Sequence, residues 1–99
     1  MKIKKREKFE TLFKNKAVTI KRITSPRNFL SKTWVQSIDE WVTILKGNVI
    51  MKVGNKKVHL KAGSYLFLSK KVPHQFKTSK NFETVWLCVY FNSVLSRWG

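Results

Sequence analysis

The sequence predicts a single all-β domain, and three observations carry the prediction. Short segments, either alternating apolar and polar or apolar throughout, recur along the chain. Turn residues such as Ser25-Pro26, Gly47-Asn48, Gly54-Asn55 and Ala62-Gly63-Ser64 separate them at close intervals. The chain has 99 residues, the length of one domain with one modest core. About seven or eight short strands broken by turns point to a sandwich or barrel. The predicted organisation is an N-terminal helical segment over residues 1–16 and a β-barrel over residues 17–99.

Taken in order, residues 5–15 are predicted as a short helix. Phe9, Leu12 and Phe13 follow the i, i+3, i+4 spacing of one apolar stripe, and Glu7 and Glu10 fall among lysines on the other side. Ala17 to Thr24 reads as a strand, because Val18 and Ile20 alternate with Thr19 and Lys21. Phe29 to Lys32 reads as a loop or short extended piece and Thr33 to Gln36 as a second strand. Trp41 to Lys46 is apolar almost throughout, as a strand covered on both faces is. Val49, Met51 and Val53 alternate with Ile50 and Lys52, and Gly54-Asn55 is a hairpin signal leading into Val58-His59-Leu60. His59 lies between two lysines on the solvent side and is assigned no role. Tyr65 to Leu68 is a compact strand. Residues 74–78 form another, with His74, Phe76 and Thr78 on one face. Glu83 to Phe91 is the last and longest strand, followed by a tail whose Leu95 and Trp98 are expected to dock on the body.

Composition narrows the function classes. Hydrophobic residues make up 42% and aromatics 13%, which excludes a disordered chain. Twenty-one basic residues against five acidic ones give a net charge of +16. Such a field attracts polyanions and keeps a protein in solution. The lysines are spread along the chain, which favours a decorated surface over a dedicated nucleic-acid patch. The single cysteine, Cys88, sits in an apolar run and reads as a buried, inert thiol. No apolar segment follows the basic N-terminus, and no apolar run is long enough to span a bilayer, so the expected location is the cytoplasm.

The candidate site begins with the acids. Asp39 and Glu40 stand side by side against the apolar run Trp41–Leu45. A carboxylate flush against a buried strand must be paired, hydrogen-bonded or bound to a metal. Glu40 is open to several partners: a turn, a lysine such as Lys71, the indole of Trp34 or Trp41, or a ligand. Asp39, its neighbour on the strand, is expected to face the other way. His74, next to Pro73, reads either as a core histidine bonded to a backbone carbonyl or as the partner of Glu40 in one pocket. Trp34, Trp41, Tyr65, Phe67 and Trp86 read as plain core ahead of an aromatic pocket lining.

At these positions the chain resembles the cupin superfamily. Its first motif ends in a glutamate, six residues and a glycine, matched here by Glu40, Trp41 to Lys46, and Gly47. Its second runs from a turn glycine through Pro-x-Gly-x-x-His, matched by Gly63 and by Ser69-Lys70-Lys71-Val72-Pro73-His74. A narrower group of small, stand-alone cupins is approached by Arg22-Ile23-Thr24-Ser25, Trp34-Val35-Gln36, Asp39-Glu40-Trp41-Val42, Pro73-His74 and Trp86-Leu87-Cys88-Val89-Tyr90-Phe91. The resemblance implies a jelly-roll-like β-barrel, a homodimer, and a ligand pocket holding Trp34, Gln36, Glu40 and His74. It implies a divalent metal among Gln36, Glu40 and His74. The departures are specific: the metal-binding His-x-His falls on Trp34 and Gln36, a later ligand position falls on Thr78, and Ser69 and Lys71 replace the proline and glycine of the second motif, which implies a less rigid and more basic loop at the barrel mouth. Non-haem iron typically takes two imidazoles and one carboxylate, a richer set than this one.

Three functions compete at this level. The first is binding of a small polar or anionic molecule through a metal, with chemistry on it and with Lys70 and Lys71 steering it in. The second is metal-free binding in a regulatory module of the same fold. The third is polyanion, and specifically nucleic-acid, binding with a vestigial pocket, which ranks last because no nucleic-acid motif is present.

Overall fold

The computed structural model describes residues 6–92. The tail residues Leu95 and Trp98 lie outside them. Eight strands follow in order: β1 (Lys8–Lys14), β2 (Val18–Ser25), β3 (Asp39–Lys46), β4 (Asn48–Val53), β5 (Lys56–Lys61), β6 (Tyr65–Leu68), β7 (His74–Thr78) and β8 (Thr84–Phe91). They form two antiparallel sheets, one of five strands in the order β1-β2-β8-β3-β6 and one of three in the order β5-β4-β7. The inward residues of both sheets make one core. Trp86 of the larger sheet meets Phe76 of the smaller edge-on, with ring centroids 4.8 Å apart, an arrangement worth about 1 kcal/mol beyond the area it buries.

Among the described residues the predicted front helix does not form. Lys8–Lys14 is an edge strand paired with β2. The helical stripe misled because the strand carries a bulge: Leu12 has no partner, while Phe9 lies opposite Ile23 and Phe13 opposite Ile20. Ile20 and Ile23 face opposite sides of β2, so the bulge sends Phe9 and Phe13 to opposite sides of the sheet. Pairing with β2 outweighs the intrinsic preference of a short segment for helix.

Two other expectations are corrected. Thr33–Gln36 is not a strand: only Trp34 forms a bridge, to His74, with reciprocal backbone bonds of 2.8 and 2.9 Å. The backbone further back, at Phe29 and Ser31, bonds to Thr78 and Phe76, so the segment runs along β7 as a ragged edge. And β3 is not covered on both faces. Glu40, Val42 and Ile44 are buried, Trp41 and Thr43 are half-buried, and Leu45 is exposed.

The second-motif loop is held more firmly than its sequence implies. Lys71, where the motif carries glycine, adopts glycine's left-handed conformation with φ 66°. Its amide donates to the carbonyl of Gln36 at 2.7 Å. The amide of Lys70 donates to the Asp39 carboxylate at 2.8 Å. Asp39 therefore faces away from Glu40, as alternation requires, and pins this loop to the start of β3.

Candidate functional site

A cavity of about 240 Å³ lies between the sheets, and Trp34, Gln36, Glu40 and His74 all stand in its walls. Each arrives by a different route. Glu40 projects inward from the second position of β3, in register with Tyr90 of β8. His74 opens β7, and its bridge to Trp34 brings the 34–36 segment to the same wall. The Gln36 carbonyl is tied to Lys71, which fixes the 34–36 segment against the second-motif loop. Met51, Phe76 and Trp86 are part of the apolar lining.

Glu40 is only 5% exposed, and burial raises its pKa above the usual carboxylate range. The Cys88 thiol, the Gln36 amide and the Tyr90 hydroxyl flank the carboxyl and oppose that rise, and Lys21 adds a weaker attraction. Burial raises the pKa of Cys88 in turn, and the neighbouring Glu40 reinforces it; Tyr90 is raised for the same reasons. The thiol is the inert, buried group its sequence context implies. His74 is held below its ordinary pKa by burial, opposed by the carbonyl of Val72, which lies 3.3 Å from Nδ1. That contact assigns the proton of neutral His74 to Nδ1 and leaves Nε2 as an acceptor.

A second carboxyl belongs to the site. Glu7 lines the cavity, and burial raises its pKa against an opposing bond from Ser25. The Ser25 hydroxyl donates to Glu7 Oε2 at 2.6 Å and accepts from the Trp86 indole at 3.0 Å. Lys21 also faces in, with Nζ 5.6 Å from the centre of the Tyr90 ring. Beside the cavity runs a cleft of about 530 Å³ that shares Lys21, Trp34, Gln36 and Tyr90 with it and adds Lys14, Thr19, Ser37 and Asn92.

Sequence reading missed Glu7, Lys21, Cys88 and Tyr90 as cavity residues. The period of two on β8 carried a usable signal, since Trp86, Cys88 and Tyr90 share a face. Nothing marked Lys21 as an inward lysine, and Glu7 was hidden by the helix assignment. The aromatic set also divides. Trp34 and Trp86 line the cavity, whereas Trp41, Tyr65 and Phe67 lie on the far side of the five-stranded sheet, with Trp41 stacked on Tyr65 at 6.0 Å.

The donor set does not fit a held metal. Gln36, Glu40 and His74 supply one amide, one carboxyl and one imidazole, and the carboxyl is flanked by thiol, hydroxyl and amide groups. Thr78, at the remaining ligand position, donates to the Pro26 carbonyl at 2.6 Å and accepts from the Phe29 amide at 2.9 Å, so it ties down a loop instead. Among the described residues no three His, Cys, Asp or Glu side chains gather as a metal site, and no buried side-chain nitrogen or oxygen lacks a partner. Among them, too, no helix is long and apolar enough to cross a membrane.

Comparison with known proteins agrees with this architecture. The family model described as "Cupin domain" matches residues 35–90. No curated protein matches the chain. Among solved structures, the cupin domain of Cnp3 from Schizosaccharomyces pombe superposes with a TM-score of 0.85 at 13% identity, over 98% of this chain and 72% of that one. An RmlC-like cupin from Shewanella frigidimarina gives 0.81 at 14% identity, over 93% and 81%. The Cupin_2 domain of an XRE family transcriptional regulator from Enterobacter cloacae gives 0.76 at 15% identity, over 86% and 95%. At these identities the likeness is one of fold.

Proposed function

This chain belongs to the cupin family, and from that premise we propose that it binds a small organic anion directly in its barrel, without a resident metal. The observation that carries the proposal is the joining of two unlike spaces. The cavity between the sheets, walled by Trp34, Met51, Phe76 and Trp86, takes an apolar body. At one side Glu40, Gln36 and His74 offer hydrogen bonds to a polar group on it. The adjoining cleft, with Lys14, Lys21 and Asn92, takes a carboxylate or phosphate at the mouth. A cavity of about 240 Å³ limits the buried part to a small molecule. A small-molecule-binding or regulatory module is the role this supports; one structural neighbour is the Cupin_2 domain of an XRE family transcriptional regulator.

Thermal-shift screening against small aromatic and aliphatic carboxylates and phosphate esters, repeated with a chelator, tests the reading. Stabilisation that survives chelation and is lost in Glu40→Gln and in Lys21→Ala is the expected result. Stabilisation that appears only with added manganese, iron, nickel or zinc would sink the metal-free reading.

A further inference from the structure

The three-stranded sheet turns a basic face without acids to solvent. Alternation with the buried Val49, Met51, Leu60 and Phe76 points Lys52, Lys57, His59, Lys61 and Lys77 outward, and all five are exposed. At the centre stands Ile50, 49% exposed, level with His59 of β5 on one side and with Lys77 of β7 on the other. Lys52, two residues on, is level with Lys57, and Asn48, two residues back, is level with Lys61. Four lysines thus ring one side chain. They are scattered in the sequence, and the pairing of β4 with β5 and β7 gathers them.

The five acids of the chain all stand elsewhere. Glu7 and Glu40 line the cavity, Glu10 pairs with Arg22, Asp39 holds the Lys70 amide, and Glu83 precedes β8. Among the described residues Arg22 with Glu10 is the only ion pair. Lys52 and Lys57 therefore face each other across the ladder with no counter-charge, an arrangement that destabilises a sheet. The cluster opposes folding, so its counter-charge is to be sought outside the chain. We infer that this face binds the phosphate backbone of double-stranded DNA, without regard to base sequence.

Charge spacing and the make-up of the face select the occupant. Strands about 4.8 Å apart, with residues about 3.4 Å apart along them, place the four lysines within a patch of roughly 10 by 14 Å. Over the longer of those lengths duplex DNA carries roughly eight phosphates, so every ammonium group finds a partner without bending the DNA. Other polyanions fit less well. Single-stranded nucleic acid is held by stacked aromatic rings, and β4, β5 and β7 turn no Phe, Tyr or Trp outward. A membrane surface takes up a broad apolar stripe, and Ile50 is the single large apolar side chain these strands expose. Base edges need free amide or guanidinium groups, and the Gln75 amide is already bonded to the Ser31 carbonyl at 2.8 Å. Lysine on phosphate supplies the whole contact, as a set of point charges. The inference does not depend on the identity of the pocket ligand.

Fluorescence anisotropy of a short labelled DNA duplex, titrated with the full chain over a series of salt concentrations, tests it. A Kd of about 10⁻⁴–10⁻⁶ M at physiological salt is expected, the same for unrelated sequences. The plot of log K against log salt should fall with a slope of about −3.6, about −0.9 for each of the four phosphates engaged. Lys52→Gln with Lys57→Gln removes two contacts and should make that slope shallower by about 1.8. Lys8→Gln with Lys46→Gln takes the same charge from strand ends of the other sheet and should leave the slope unchanged. All four of these side chains are exposed. The urea midpoint of the Lys52→Gln, Lys57→Gln variant should stay level or rise, since two facing like charges are gone. If that variant fails to fold, Lys77→Gln alone should flatten the slope by about 0.9. No binding at about 0.15 M salt would overturn the inference. So would an equal loss of slope in the two paired variants, the mark of a field spread over the whole chain. Tighter binding to single-stranded RNA or to phosphatidylserine vesicles than to the duplex, lost with Lys52 and Lys57, would overturn it as well.

Discussion

Two glycines with the same backbone conformation and different surroundings offer a controlled measurement of how tightly the barrel closes after β3. Gly47 has φ +90° and Gly63 φ +91°. Alanine at either position carries a side chain in a conformation that costs about 1–3 kcal/mol. At Gly63 nothing stands within 4 Å of the added Cβ, so that cost is the whole effect. At Gly47 the Cβ would lie 2.5 Å from the Glu83 carbonyl oxygen, 2.7 Å from Thr84 Oγ1 and 2.9 Å from Thr84 Cα. Two of those atoms are backbone, so strand β8 itself must shift. Overpacking of this kind adds about 1–3 kcal/mol. The shift also strains the bond from the buried Thr84 hydroxyl to the Asn48 carbonyl at 3.1 Å, worth about 1 kcal/mol. Gly63→Ala should therefore cost about 2 kcal/mol and Gly47→Ala about 4–5 kcal/mol. Urea unfolding of both variants reads the difference as a larger fall in midpoint at constant slope. For a domain of this length the gap of about 2–3 kcal/mol corresponds to a Tm difference of about 8–24 °C. Equal losses at the two positions would refute the close approach of β3 and β8 at Gly47.

Glu40→Gln should stabilise the protein at pH 8 and change little at pH 4. Its folded pKa is raised above 4.5, so the wild-type carboxyl penalises folding once pH exceeds that value and through the folded pKa. Denaturation at the two pH values checks the sign. Lys71→Gly should stabilise by about 0.5–1 kcal/mol, because it relieves a left-handed lysine, and a lower denaturation midpoint would contradict that. The Cys88 thiol should resist Ellman's reagent in the folded protein and react once denaturant is added, since burial raises its pKa and shields it. Rapid native labelling would show that the cavity opens to the reagent.

The site was legible where two short motifs met local rules. Glu40 and His74 were readable as a pair because the two motifs of the resemblance place them in one pocket; local rules marked the acid beside an apolar strand as needing a partner but left that partner open. Lys21 was not readable, because an inward lysine in an otherwise alternating strand differs from an outward one only by the parity of the strand, which the neighbours decide. The second-motif loop was misjudged for a related reason. Replacing glycine by Lys71 lowers the local preference for a left-handed turn, but the bonds to Gln36 and Asp39 impose it from outside the loop.

By itself the sequence determined the all-β class, the turns and most of the strands, because these follow from the period of two and from residues with few backbone choices. It also determined that Asp39 and Glu40, neighbours on one strand, face opposite sides. The tertiary structure alone decided that the front segment is a strand, since an edge partner and a bulge outweigh a weak helical stripe. It alone decided which side of the apolar strands meets the core and which is left bare. A strand that is apolar at every position carries no parity signal; only the sheet stacked against it defines an inside, and here that is the sheet of β4, β5 and β7.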